Sequence, residues 1–181
     1  MDTENIYGKS PVMDNENEIL DLVDENDVVV GETNRGEAWS NSSNKYIRFV
    51  AGFLINDEGC IWVPIRSQNK KKLPGAYDWS FAGHVGVGES YMSAAIREAS
   101  EELNINFSEN DIREKVKLKP QDNNIGYFVQ VYEIGYDYDP NFNTADFESG
   151  SWMTVDALRQ EILNGASAKK ELLHYLTINC T

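Results

Sequence analysis

The segment from Gly83 to Leu103 constrains the fold of this chain more than any other. Met92, Ala95, Ile96, Ala99 and Leu103 recur at helical spacing, which calls for one helix with a single apolar face set against a core. Ser90 can cap its start, and Asn104 can adopt the left-handed conformation that often ends a helix. On this helix Glu98, Glu101 and Glu102 stand at i, i+3 and i+4, so three carboxylates crowd one face beside the apolar stripe. For stability alone this is a poor arrangement. Like charges repel at that spacing, and acids near a helix C-terminus meet its partial negative charge, each effect costing roughly a few tenths of a kcal/mol. Arg97 can pair with Glu101 or with a loop acid, but one guanidinium cannot neutralise three carboxylates, whereas a hard divalent ion such as Mg²⁺ takes oxygen ligands and tolerates water in the rest of its shell. Taken alone, the helix reads as an ordinary solvated acidic face. The preceding Gly83–Gly88 loop shifts the reading to a metal site, because its flexible backbone can offer a carbonyl ligand and it places Glu89 to meet Arg97 across the loop–helix junction.

The rest of the chain supplies strands around this helix. Ile19 to Val30 reads as a hairpin turning at Asp24-Glu25-Asn26-Asp27, and Tyr46 to Ile55 as a strand whose partner runs from Cys60 to Ile65 after an Asn56–Gly59 turn. Pro64 weakens the second of these, since proline cannot donate to a ladder. A basic loop, Arg66 to Lys72, leads through Leu73-Pro74-Gly75 to a short Trp79-Ser80-Phe81 strand. Further strands are expected at Lys115–Leu118, at Ile125–Ile134 and around Trp152, and helices at Val155–Leu163 and Lys169–Leu176. Strands around one central helix with two terminal helices predict an α/β sandwich, one domain over 18–181 with a polar, mobile or loosely packed segment over 1–17. There is no internal repeat.

Charge and cysteine content narrow the partners. With 181 residues and a net charge of −14, the chain is long enough for its own core and repels anionic membrane and naked nucleic acid, while small anionic substrates remain accessible through bound metal. Cys60 and Cys180 form neither a disulfide framework nor a metal-binding cluster, which fits a reducing compartment. The acidic N-terminus lacks a basic start with an apolar run, and no stretch approaches the ~18 apolar residues of a membrane span, so a cytoplasmic location is expected.

The segment Gly83 to Ile105 resembles the Nudix box, G-x5-E-x7-R-E-U-x-E-E-x-G-U with U aliphatic. Gly83, Glu89, Arg97, Glu98, Glu101 and Glu102 match at the required spacings, Ile105 fills the last aliphatic position, and Asn104 replaces the final glycine with a residue that tolerates positive φ. The resemblance implies an α/β/α sandwich with a mixed central sheet, the box forming loop–helix–loop, and attack by metal-activated water on a substituted diphosphate. It makes Glu98, Glu101 and Glu102 candidate metal ligands or base, with the Gly83 carbonyl a further ligand, Mg²⁺ the expected ion and Mn²⁺ an alternative. Glu98 is the first choice for base, with Glu101 and Arg97 beside it in the catalytic set and Asp146 or Glu148 as a competing source. Glu89 and Arg97 orient loop and helix.

A wider similarity, through Leu22-Val23-Asp24-Glu25, Leu73-Pro74-Gly75, Trp79, Ser80, Ala82-Gly83-His84 and Gly88-Glu89-Ser90, looks like the branch containing isopentenyl diphosphate isomerases and their hydrolase relatives. The isomerases place a catalytic cysteine where this chain has Ala82. They use upstream histidines where it offers Trp39 and Tyr46, and a glutamate pair without counterpart in Asn123-Asn124-Ile125-Gly126-Tyr127. A hydrolase is therefore expected ahead of an isomerase. A nucleotide-binding sensor without catalysis is the other alternative, and a scaffold whose acidic face binds basic partners a third. His84, Arg48 and Arg66 are candidate substrate contacts, and a small phosphorylated metabolite is the expected partner. Lys70, Lys71 and Lys72 read as phosphate contacts or a solvated loop, and Trp39, Tyr46, Tyr77 and Phe128 as base-stacking or core residues.

Overall fold

Residues 16–38, 45–123 and 125–178 are described by a computed structural model of the chain. The segment expected over 1–17 lies outside them except for Glu16 and Asn17, and Trp39, Asn124 and Cys180 also fall outside. In chain order the elements are β1 (Ile19–Val23), β2 (Val29–Asn34), the short helix α1 (Arg35–Ala38), β3 (Arg48–Ile55), β4 (Ile61–Arg66), β5 (Phe81–His84), α2 (Tyr91–Leu103), β6 (Ile112–Leu118), the short helix α3 (Pro120–Asn123), β7 (Phe128–Gly135), β8 (Phe147–Met153), α4 (Val155–Leu163) and α5 (Lys170–Ile178).

Turn chemistry closes both early hairpins. Asp24 Oδ1 accepts the Asn26 and Val28 N–H groups between β1 and β2, and Asn56 Oδ1 accepts those of Glu58 and Cys60 between β3 and β4. Gly59 completes the second turn at φ 75°. β1 and β2 form a separate two-stranded sheet, and the main sheet runs β6-β7-β3-β4-β8 with β5 also paired to β3. β3 lies parallel to β7 over its whole length and antiparallel to β4 and β5, so the sheet is mixed.

Its two faces bury different helices. Val50 and Leu54 of β3, Trp62 of β4 and Tyr132 and Ile134 of β7 pack with Ala94, Ala95, Ala99 and Leu103 of α2. The alternate residues Ala51, Phe53, Ile61, Val63, Val129 and Val131 pack with Leu158 and Ile162 of α4 and with Leu172, Tyr175 and Leu176 of α5. This period-two division produces the expected α/β/α sandwich.

The sheet forks beside α2. β3 pairs with β4 in register only at Ile55↔Ile61, and toward its N-terminus it pairs with β5 instead, from Gly52↔Phe81 to Phe49↔His84. Ser80 stitches the fork: its hydroxyl accepts the Leu54 N–H at 3.0 Å and donates to the Trp62 carbonyl. Pro64 is accommodated in β4 because its ladder is with β8, opposite Gly150, beyond the end of the pairing with β3.

Candidate active site

Ser90 caps α2 by accepting the Ser93 N–H at 3.0 Å, and Asn104 ends the helix in the left-handed region at φ 53°. Between these caps, α2 lays its glutamates against β5. Glu102 Oε2 accepts the Ala82 N–H at 2.8 Å. Glu98 lies over Gly83 so closely that a Cβ built on the glycine would meet Glu98 Oε1 at 1.9 Å. Gly83 pairs with Val50 in the ladder, so the first glycine of the loop is a strand residue whose missing side chain makes room for a carboxylate.

Arg97 organises the loop that follows. Its guanidinium donates to both oxygens of Glu89 at 3.0 and 2.9 Å, to Glu98 Oε1 at 2.6 Å and to the His84 carbonyl at 2.9 Å, and stands 3.6 Å from Glu101 Oε2. Glu89 in turn accepts the Gly86 N–H at 2.9 Å. These hydrogen bonds hold Arg97 firmly charged.

The glutamates differ in their surroundings. The Glu101 side chain is 54% exposed and that of Glu98 13%. Burial, together with the charges of Glu101 and Glu18, pushes Glu98 up to about 7 against the pull of Arg97. Burial also raises Glu102 well above the usual carboxylate range, with Glu98, Asp146 and Asp78 adding to it and Lys169 opposing. Two neighbouring, partly buried carboxylates are thus short of positive charge, a deficit that a hard divalent cation would correct. Among the described residues no three His, Cys, Asp or Glu side chains form a ready-made cage. Such a donor set suits an ion that keeps part of its water shell.

The other sequence candidates divide. His84 is buried with its ring 4.2 Å from that of Phe49, and the Phe49 ring lies tilted against Tyr127 at 4.4 Å. Its Nε2 has no hydrogen-bond partner among the described residues, and its Nδ1 lies 3.6 Å from Glu18 Oε2. Burial foremost, then the cations Arg35, Lys169, Arg97 and Lys72, depress His84 to about 3, so the ring is neutral. Arg66 is engaged by Asp78 Oδ2 at 2.5 Å and by the carbonyls of Lys72 and Leu73. Arg48 turns to the hairpin, with Nε 2.6 Å from Asp27 Oδ1 and NH1 3.8 Å from Asp21 Oδ2. Lys70 pairs with Asp146 at 2.5 Å, and Gln68 donates to Glu148 at 3.1 Å, joining the basic loop to the start of β8. Phe128 is a core residue, with Tyr46 edge-on to it at 5.9 Å.

Sequence reasoning missed Asp78 and Lys169. Asp78 is buried between Arg66 and Lys169, whose Nζ lies 2.8 Å from Asp78 Oδ1. Their meeting depends on the bridge between Tyr77 and Ala168, a contact from distant parts of the chain that no local pattern announces.

Fold and site together define a class: an α/β/α sandwich in which a glycine-bearing strand and loop present a helix of paired acids. The NUDIX domain family matches residues 45–176. An uncharacterized Nudix hydrolase of Nostoc sp. is 37% identical over 156 residues, covering 86% of this chain and 92% of the relative. The crystal structure of DR0079 from Deinococcus radiodurans superposes with a TM-score of 0.80 at 36% identity, covering 91% of this chain and all of that one. More distantly, isopentenyl-diphosphate Delta-isomerase 1 of Photorhabdus laumondii is 29% identical over 147 residues, covering 79% of this chain and 83% of that protein. The chain belongs to the Nudix family and is a Nudix hydrolase, in the branch that also contains the isomerases.

Proposed function

We propose that this Nudix hydrolase is a metal-dependent pyrophosphohydrolase that cleaves the diphosphate linkage of a nucleoside diphosphate derivative or a related small phosphorylated metabolite in the cytoplasm. The observation that carries this reading is the pair of partly buried, charge-deficient carboxylates, Glu98 and Glu102, set against Gly83 and Ala82 of β5. Glu98, Glu102, the Gly83 carbonyl and the more exposed Glu101 are the proposed ligands of Mg²⁺, with Mn²⁺ able to replace it. When bound, the ion supplies neutralisation of phosphate oxygens and a bound water of lowered pKa.

The protein groups then have separate tasks. Glu98, set over Gly83 and held by Arg97, takes the proton of the attacking water. Arg97 holds Glu98, Glu89 and the His84 carbonyl in one array, with Glu101 at its edge. His84, whose carbonyl accepts from Arg97, is the proposed substrate contact nearest this array. Arg66 and Arg48 reach a phosphate by sharing donors with Asp78 and Asp27. An alanine at position 82 leaves the site without a side-chain proton carrier there, which favours hydrolysis over isomerisation.

The test is release of phosphate or pyrophosphate, with product masses, across nucleoside di- and triphosphates, nucleotide sugars, dinucleotides, coenzyme A and isoprenoid diphosphates. It is run with Mg²⁺, with Mn²⁺, with chelator and with Glu102→Gln. Metal-dependent cleavage that disappears in the variant is expected. Absence of turnover on every substrate, with tight metal-independent nucleotide binding, would replace the enzyme reading with that of a sensor.

A further inference from the structure

The β1–β2 hairpin lies before residue 45, outside the segment that the NUDIX domain family matches, yet it is fastened along the loop that leads into α2. Leu20 of β1 bridges Gly86. One residue further, the buried Asp21 accepts the Gly88 N–H on Oδ2 at 3.1 Å. At the hairpin turn, Asp27 accepts the hydroxyl of Tyr91, the first residue of α2, at 3.1 and 3.2 Å, and is also held by Arg48 and Lys117. Three successive contacts therefore bracket the loop from Gly86 to the start of α2.

The middle contact has the most direct line to the chemistry. Gly88 turns the loop in the left-handed region at φ 68°, and the next residue is Glu89, the bidentate partner of Arg97. Arg97 in turn donates to Glu98. Asp21 is 3.8 Å from Arg48 and 3.1 Å from the Gly88 nitrogen, so its closer engagement is with the loop backbone rather than with the cation.

We infer that Asp21 is a positioning residue of the hydrolase: by accepting the Gly88 N–H it fixes the turn that presents Glu89 to Arg97, and through Arg97 it sets the place of Glu98. The hairpin is thereby a working part of the active site. The link to catalysis rests on the proposed role of Glu98; the link between Asp21 and the loop does not.

The experiment uses the full chain with Asp21→Ala, Asp21→Asn and Asp21→Ser, and measures Gly88 amide hydrogen exchange by NMR beside kcat and KM with Mg²⁺. Loss of one buried acceptor corresponds to about tenfold in an equilibrium, so Asp21→Ala and Asp21→Ser should speed Gly88 exchange and lower kcat by about that factor, with KM changed less than about twofold. Asp21→Asn keeps an oxygen at the same reach while removing the charge, and should restore Gly88 protection and most of kcat. A role confined to the ion pair with Arg48 predicts the reverse, with Asp21→Asn as impaired as Asp21→Ala, and that result overturns the inference. Unchanged Gly88 exchange in Asp21→Ser overturns it equally, including when Asp21→Ala fails to fold. If the wild-type chain turns over no substrate, the exchange measurements still decide whether Asp21 holds the loop, and the failure then belongs to the proposed reaction.

Discussion

The carboxylate of Glu98 fills the space in which any side chain at Gly83 would have to begin. Gly83 is not among the positive-φ glycines, so the requirement is for room rather than for a special backbone conformation. Gly83→Ala should displace Glu98 and lower kcat by about a hundredfold, the order expected when a reacting group moves by an ångström. The accompanying loss of stability should stay within the ~1–3 kcal/mol typical of overpacking. Kinetics and thermal melts on the same preparation separate the two effects, and wild-type kcat in this variant would remove Glu98 from the reaction centre.

The three α2 glutamates of the box should contribute unequally to metal binding. Glu98 and Glu102 lie partly buried against β5, whereas Glu101 is more than half exposed. By calorimetric titration with Mg²⁺, Glu98→Gln and Glu102→Gln should each weaken binding by about tenfold or more, and Glu101→Gln by less. Equal losses at all three positions would contradict the geometry.

Protonation gives a signed test. The Glu98 carboxyl is raised from 4.5 to about 7, with burial the largest cause, so the folded state binds its proton more tightly than the unfolded state does. Its contribution to stability is full below pH 4.5 and is lost as pH rises through about 7. His84, depressed from 6.5 to about 3 by burial and neighbouring cations, acts in the opposite sense: its contribution is present above pH 6.5 and lost as pH falls toward 3. The two slopes oppose each other between 4.5 and 6.5, so the informative quantity is a difference. In metal-free protein, the stability of the wild type relative to Glu98→Gln should fall between about pH 5 and about pH 7.5, and Mg²⁺ should restore it at the higher pH. A difference independent of pH in denaturant melts would show that Glu98 titrates normally.

Ser80 closes the fork between β3 and β4 with one hydroxyl. Ser80→Ala leaves the Leu54 N–H and the Trp62 carbonyl without that partner in a buried site. A loss of about 2 kcal/mol or more is expected, because each buried polar group left unsatisfied costs roughly 1–3 kcal/mol. Urea unfolding measures it, and a change below about 0.5 kcal/mol would mean that the fork does not depend on this hydroxyl.

What could be read from the sequence was what short-range physics dictates. The apolar period and both caps of α2 were legible because Ser90 and Asn104 act within a turn of their own positions. The two hairpins were legible through Asp24 and Asn56, whose side chains bond to backbone a few residues away. The strand expected at Trp79-Ser80-Phe81 instead runs from Phe81 to His84, because Ser80 is spent on the fork and Gly83 is drawn into the ladder opposite Val50. The short helices α1 and α3 are too brief to carry a period. In the site, Glu89 and Arg97 meet across the loop as their spacing suggested. Asp21, Asp78 and Lys169 arrive through pairings between remote segments, and Arg48 is turned toward the hairpin by Asp27 in the same way. Such placements follow from topology, which residue spacing does not encode.

The parallel pairing of β3 with β7 has a consequence for biogenesis. Phe128 comes to Arg48, and Gly135 to Ile55, only after the whole of α2 and β6 has been synthesised. Parallel strands separated by so much chain close slowly, since loop-closure entropy is lost before their contacts form. On the ribosome, the segment carrying Glu98 and Glu102 is therefore translated well before the strand that completes the sheet beneath it. A chain arrested before β7 would carry every glutamate of the box beside a sheet not yet complete, so hydrolytic competence should appear late, as a property of the finished sheet.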